Sequence, residues 1–159
     1  MTAGVKEAGR VATLVIRDAL PADMGTLGDV FRRSSLSNEG DRENLLAHPD
    51  FLELPDLAVT QGRTRAAVAD GVIVGFATWL GTGDVLEIED LFVDPEWMRQ
   101  GIARALVLDL FAVARGRGVH RVEVTANQHA LGFYTKVGFA VDHTVETTFG
   151  PGLRMHLTL

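Results

Sequence analysis

Residues Leu91 to Leu106 read LFVDPEWMRQGIARAL and hold the spacing most suggestive of chemistry. An apolar, β-type run, Leu91-Phe92-Val93, stops at Asp94-Pro95. A short polar turn follows, and Arg99-Gln100-Gly101-Ile102-Ala103-Arg104 opens a long apolar helix. A strand feeding through a tight glycine turn into a helix aims unpaired backbone N–H groups at one point. The helix dipole makes that point attractive to anions. First turns favour Asp and Glu, yet this one carries Arg99 and Arg104, which the macrodipole disfavours. A bound polyanion reverses that sign. The alternative is that both arginines are solvated, or pair with Asp94 and Glu96.

Further along, a strand-like run, Arg121 to Ala126, leads into NQHALGFYTKVGF, Asn127 to Phe139. A Gly-x-Ala anion loop followed by N-x-x-A-x-x-F-Y-x-x-x-G-F resembles the GNAT superfamily of acyl-CoA-dependent N-acyltransferases. The resemblance covers about Leu86 to Phe139 closely and the earlier elements more loosely. One position departs from it. The family's loop usually leads with Arg or Gln, and here that place is Met98, which removes a polar contact to a pyrophosphate; Arg99 beside it is the natural substitute.

The resemblance implies acetyl-CoA as co-substrate, direct transfer to an amine in a ternary complex, and no metal. It places the cofactor along Phe92, Val93, Arg99, Gln100, Gly101, Ile102, Ala103, Arg104, Asn127 and Phe133. It also implies the GNAT fold, an α/β (α+β) arrangement: a mixed, mostly antiparallel twisted sheet, helices on both faces and splayed central strands that admit the pantetheine.

Acyl transfer to an amine has three demands. The amine, with a pKa near ~10 as for lysine, must lose a proton; the oxyanion needs donors; the leaving thiolate needs a proton or a hydrogen bond. Tyr134 is the chain's one tyrosine and falls where the family places its general acid; the other reading is a ring packed beside Phe133. The base is sought among strand carboxylates. Glu87 and Glu89 share a face if the strand is regular, and Asp90 opposes them. Burial would raise such a carboxylate's pKa and make it a better base. Each is equally readable as a partly solvated strand residue, and a water relay would make any single base unnecessary. Asn127 is either a contact to the pantetheine arm or a turn cap.

Composition bounds these readings. A chain of 159 residues with 47% hydrophobic and 23% charged residues is a globular domain able to bury a core. Its formal charge of −6 argues against a nucleic-acid binder. The chain has no cysteine, which excludes a cysteinyl intermediate and a Cys-ligated metal and fits a reducing cytoplasm. The five histidines show no HExxH spacing, and neither a Gly-x-Ser-x-Gly elbow nor a GxxxxGK loop is present. No apolar run reaches membrane-spanning length. The acceptor that the resemblance implies is a small-molecule or peptide amine. The rival readings are a catalytically silent acyl-CoA-binding module, and an acyltransferase with another donor or acceptor.

The elements that must position these groups follow from periodicity. Residues 1–10 are expected as a flexible tail and 11–159 as a single domain. Thr13 to Arg17 reads as a strand, Pro21 and Asp23 start a helix, and Ser34 to Gly40 is a polar break before a short helix over Asp41 to Ala47. Arg65 to Ala69 and Val72 to Leu80 form a hairpin across Asp70-Gly71. In the strand Val85 to Val93, apolar residues change from even positions (Leu86, Ile88) to odd ones (Leu91, Val93), as one bulged residue would cause; the alternative is a strand buried on both faces. A helix from Gly101 to about Arg115 is apolar nearly all round and must be buried. Another covers about His129 to Val137. The tail alternates as two half-buried strands, Phe139 to Glu146 and Leu153 to Leu159. An uncovered edge on the last of these predicts a homodimer; the alternative is that this strand is interior to the sheet and already paired on both sides.

Overall fold

The computed structural model describes the backbone of residues 2–7 and 10–159 and the side chains of residues 13–159. β1 (Thr2–Glu7) and β2 (Arg10–Asp18) form an antiparallel hairpin, in register from Thr2↔Val15 to Glu7↔Arg10. The stretch expected as a loose tail therefore holds a strand, because its backbone groups find partners along β2; Met1, Ala8 and Gly9 lie outside the described residues.

Two compact units make up the chain: residues 1–78 with 90–109, and residues 79–89 with 110–159. In the first, β2 pairs antiparallel with β3 (Thr64–Ala69), and β3 with β4 (Val72–Thr82). The β3–β4 turn is Asp70-Gly71, with φ of 48° and 83°. Two successive left-handed residues are what a type I′ hairpin requires. β4 is buried without interruption from Ile73 to Thr78, so alternation is absent there. A 3-10 turn, Pro21–Asp23, leads into α1 (Met24–Leu36), and α2 (Glu39–Ala47) follows. The expected break at Ser34 shortens to Ser37-Asn38, since α1 runs on through Leu36. A short α3 (Leu57–Thr60) follows Pro55. Leu27, Val30, Phe76 and Ala66 are fully buried in this unit's core, with Phe31 and Phe92 packed against it.

β5 (Val85–Val93) enters the second unit's strands by parallel pairing with β6 (Arg121–Ala126), from Val85↔Arg121 to Ile88↔Val124. Among the described residues that ladder stops there, although β5 runs five residues further and β6 two. Burial in β5 changes phase as expected: Leu86 and Ile88 are buried, then Val93, with exposed Glu89 between. α4 (Ile102–Gly116) is apolar on most sides but not all, because Asp109 is buried within it. Arg65 on β3 makes this tolerable, donating Nε and Nη2 to the two Asp109 oxygens at 2.8 and 3.1 Å. After β6, a 3-10 turn (Gln128–Ala130) precedes α5 (Leu131–Val137).

The chain closes with β7 (Ala140–Thr147) and β8 (Gly150–Thr158), and here two expectations fail. β7 is not half-buried: seven of its eight residues are exposed and Val145 is intermediate. Nor is β8 an edge. It pairs antiparallel with β6 on one side and β7 on the other. Hydrogen-bonding order decided this; the alternation of apolar residues in β8 shows only that one face lies on the core, where Met155 is fully buried.

Candidate active site

The turn between β5 and α4 is built from its backbone upward. Asp94 ends the strand, and its N–H donates to the Val74 carbonyl at 2.8 Å. Its carboxylate is used twice: Oδ1 accepts the Glu96 N–H at 3.1 Å, and Oδ2 accepts from Arg33 of α1. A 3-10 turn, Pro95–Trp97, follows, with Trp97 buried. Met98 is 40% exposed in extended backbone. Arg99 then takes φ 64° and Gly101 φ 84°. A bulky residue at positive φ is a strained outlier. Arg99 and Gly101, both left-handed, flank Gln100 just before the helix, a turn of the kind from which anion nests are built. The first helical acceptor bond is Ala105 N–H to Gly101 O at 3.0 Å, so the N–H groups of Ile102, Ala103 and Arg104 have no acceptor within the helix.

The side chains divide cleanly. Ile102 and Val93 are buried, and Phe92 packs its ring on Phe31 and Phe76 at 4.9 and 5.6 Å between centroids. These three can meet a ligand only through their main chain. Arg99 and Arg104 are exposed. Among the described residues neither has an ion-pair partner. The alternative pairing with Asp94 fails because Arg33 holds that carboxylate. α4 has no acidic residue in its first turn. The Gln100 side-chain oxygen is buried without a hydrogen-bond partner.

The β5 carboxylates are in three different situations. Glu87 is half-buried, and its Oε1 accepts from Arg154 Nη1 at 2.5 Å. Glu89, two residues on, is exposed. Asp90 accepts from the buried Thr78 hydroxyl at 2.5 Å. Arg154, on β8, drew no attention in the sequence. It also donates to Thr125 Oγ1 at 3.0 Å and to Glu123 Oε1 at 2.7 Å. Arg121 takes the other Glu123 oxygen at 2.8 Å. The Arg121 hydrogen bond first, and Arg154 next among the attractions, hold the Glu123 carboxyl below its ordinary range. The sequence signal for Arg154 is thin: a polar residue on the outward phase of an alternating strand.

Tyr134 is 5% exposed on α5. Its ring meets Phe133 and Phe139 edge-on at 5.0 and 5.3 Å. Burial alone pushes the phenol well above its ordinary value. It therefore stays neutral at any physiological pH and keeps a hydrogen to donate. Asn127 is exposed and its Oδ1 accepts the Ala130 N–H at 2.9 Å, capping the 3-10 turn. Its amide hydrogens are what it has left for a ligand. Among the described residues no three His, Asp or Glu gather as a metal site.

The residues forming the nest, β5, β6 and α5 fall inside one family match. The model of the acetyltransferase (GNAT) family matches residues 30–139, and the chain belongs to that family. It is similar to the glucosamine 6-phosphate N-acetyltransferase of Trypanosoma brucei brucei, 36% identical over 76 residues, covering 43% of this chain and 52% of that protein. The chloroplastic serotonin N-acetyltransferase 2 of Oryza sativa subsp. japonica is 30% identical over 131 residues, 80% of this chain and 62% of that one. The chain thus spans between half and two thirds of the length of these relatives. Among solved structures, the PaiA N-acetyltransferase of Thermoplasma acidophilum, in complex with coenzyme A, shares the fold. Its TM-score is 0.72 at 19% identity, covering 92% of this chain and 99% of that one.

Proposed function

We propose that this protein transfers the acetyl group of acetyl-CoA to a primary amine by direct attack in a ternary complex. The observation that carries the reading is the head of α4. Arg99 and Gly101 are both left-handed, and two arginines without an ion-pair partner among the described residues stand at a helix start with no carboxylate in its first turn. Such a turn is electrostatically unfavourable until a polyanion fills it, and a pyrophosphate has the required charge. The N–H groups of Gln100 to Arg104 receive it, assisted by Arg99 and Arg104. The family resemblance adds Asn127, Phe133 and the main chain of Phe92 and Val93 as cofactor contacts. Coenzyme A in the complex of the PaiA enzyme supports the same co-substrate here.

In the transfer, a carboxylate on β5, Glu87 or Glu89, takes the proton of the acceptor ammonium. The freed amine attacks the thioester carbonyl to give a tetrahedral intermediate; as it collapses the C–S bond breaks, the sulfur leaves with a hydrogen bond from Tyr134, and the proton shed by the amide nitrogen passes to that sulfur. The acceptor is a small-molecule or peptide amine; relatives named for glucosamine 6-phosphate and for thialysine support an amine. The lack of cysteine supports a cytoplasmic setting. A homodimer is part of this reading, with the open edge moved from β8 to β7, where Val141 is 49% exposed.

The test is purified protein with acetyl-CoA and a panel of amino sugars, arylalkylamines, amino acids and peptides, read by free thiol release. Release that depends on one class of amine is expected. Acetyl-CoA binding without release from any amine would replace the enzyme by a silent binding module.

A further inference from the structure

The parallel ladder between β5 and β6 ends at Ile88↔Val124. One residue beyond, Thr125 lies opposite Arg154 of β8, and Glu87 lies opposite Glu123. Arg154 therefore stands where the two parallel strands stop pairing, with Nη1 reaching both strands and Nη2 reaching β6. Nη1 holds Glu87 Oε1 at 2.5 Å and Thr125 Oγ1 at 3.0 Å, and Nη2 holds Glu123 Oε1 at 2.7 Å. The guanidinium plane is rigid, so fixing it on β6 fixes the oxygen it holds on β5. Glu123 is itself anchored from the far side by Arg121, whose Nη2 also reaches Asp142 of β7 at 3.5 Å.

The consequence falls on the second oxygen. Glu87 Oε2 is buried and has no hydrogen-bond partner. A buried carboxylate oxygen without a donor is costly, and an N–H that reaches it removes that cost. A glutamate free to rotate would bring either oxygen to a donor; this one is allowed only one.

We infer that Arg154 is a positioning residue: it clamps Oε1 of Glu87 so that Oε2 alone is presented to the N–H of the acceptor ammonium. The inference rests on the reading of Glu87 as the proton acceptor. No bond to Arg154 changes in the reaction. The proton moves from the amine nitrogen to Glu87 Oε2, and the guanidinium keeps all of its own hydrogens.

The experiment uses the full chain as wild type, Glu87→Gln, Arg154→Gln, Arg154→Lys and the double variant Glu87→Gln/Arg154→Gln. Each is measured for turnover at saturating acetyl-CoA, for acetyl-CoA affinity by calorimetry, and for melting temperature. Glu87→Gln should lower kcat by ~10²-fold or more, as loss of a general base does. Arg154→Gln should lower it by roughly 10-fold to 100-fold, the scale of a misplaced catalytic group, with acetyl-CoA affinity unchanged. The double variant should be no slower than Glu87→Gln alone, because a clamp has nothing to do once its carboxylate is gone. Arg154→Lys keeps the charge without the two-armed plane and should fall between wild type and Arg154→Gln. If Arg154→Gln does not fold, Arg154→Lys in both backgrounds carries the same comparison. Wild-type turnover in the Arg154 variants, or losses that multiply in the double variant, would overturn the clamp and leave Glu87 in place. Wild-type turnover in Glu87→Gln would instead remove Glu87 as the base, and the clamp with it, while thiol release by the wild type still stands for the enzyme.

Discussion

Tyr134 illustrates how burial selects one role for a side chain. A thiol ordinarily titrates near ~8.5 and a phenol near ~10, and burial lifts this phenol further. It is thus a weaker acid than a thiol, and in the proposed role it is better suited to a hydrogen bond on the developing thiolate than to complete proton transfer. Tyr134→Phe keeps the ring contacts and should lower kcat by ~10²–10⁴-fold while acetyl-CoA affinity holds. Because the phenol stays protonated, the wild-type rate should show no falling limb from this group up to about pH 10; a limb that Tyr134→Phe abolishes would contradict the buried assignment. Gly101 is a different kind of residue-scale constraint. An added Cβ would meet nothing within 4 Å, so the obstacle is backbone strain at φ 84°, about 1–2 kcal/mol for an L residue. Gly101→Ala should bind acetyl-CoA somewhat less well. Gly101→Glu adds like charge and should bind it far less well, and equal affinities in the two would mean that no anion sits there.

At the scale of elements, the close approach of β4 to the turn-bearing strand depends on Gly75. A Cβ there would lie 2.9 Å from the Phe92 carbonyl oxygen, 3.3 Å from Ile102 Cγ2 and 3.4 Å from Leu106 Cδ1. The first of these is main chain and cannot swing aside. Gly75→Ala should therefore cost about 1–3 kcal/mol, the range for overpacking a core, seen as a lower melting temperature. Since Phe92 and Ile102 bracket the anion turn, acetyl-CoA affinity should fall as well. Gly25→Ala, in a helix with open space around the Cβ, is the control and should gain or keep stability. A melting temperature that Gly75→Ala leaves untouched would show that β4 can shift without loss.

For the whole molecule, acid stability follows from two carboxylates. Asp23 is held below its ordinary range chiefly by the Arg17 hydrogen bond, and Glu123 chiefly by Arg121. A carboxyl whose folded pKa is depressed adds stability above its unfolded value, near ~4, and loses it as the pH falls through the folded one. Melting temperature should thus be level above about pH 5 and drop below about pH 4. Arg17→Gln and Arg121→Gln should each flatten that drop; an unchanged acid slope in both would place the effect elsewhere. The dimer is tested by sedimentation at micromolar concentration. Twice the chain mass is expected, with Val141→Lys returning the protein to one chain mass through the β7 edge. A wild type that sediments as a single chain overturns it.

Local chemistry made much of this protein readable from its residues in order. Asp70-Gly71 dictated its hairpin, the run Val85 to Val93 its strand and the change of phase within it, and the Met98 to Arg104 turn its helix start. Each depends on neighbours a few positions away. What tertiary structure decided lies at long separation: Arg154 on Glu87, 67 residues apart, Arg33 on Asp94 at 61, and Arg65 on Asp109 at 44. Those pairs require a strand order and a register, which side-chain periodicity does not encode. The same reason moved the sheet edge from β8 to β7. Alternation shows which face of a strand is buried, but hydrogen bonding between strands is made by the backbone, which is alike at every residue, so only packing settles which strand lies outermost.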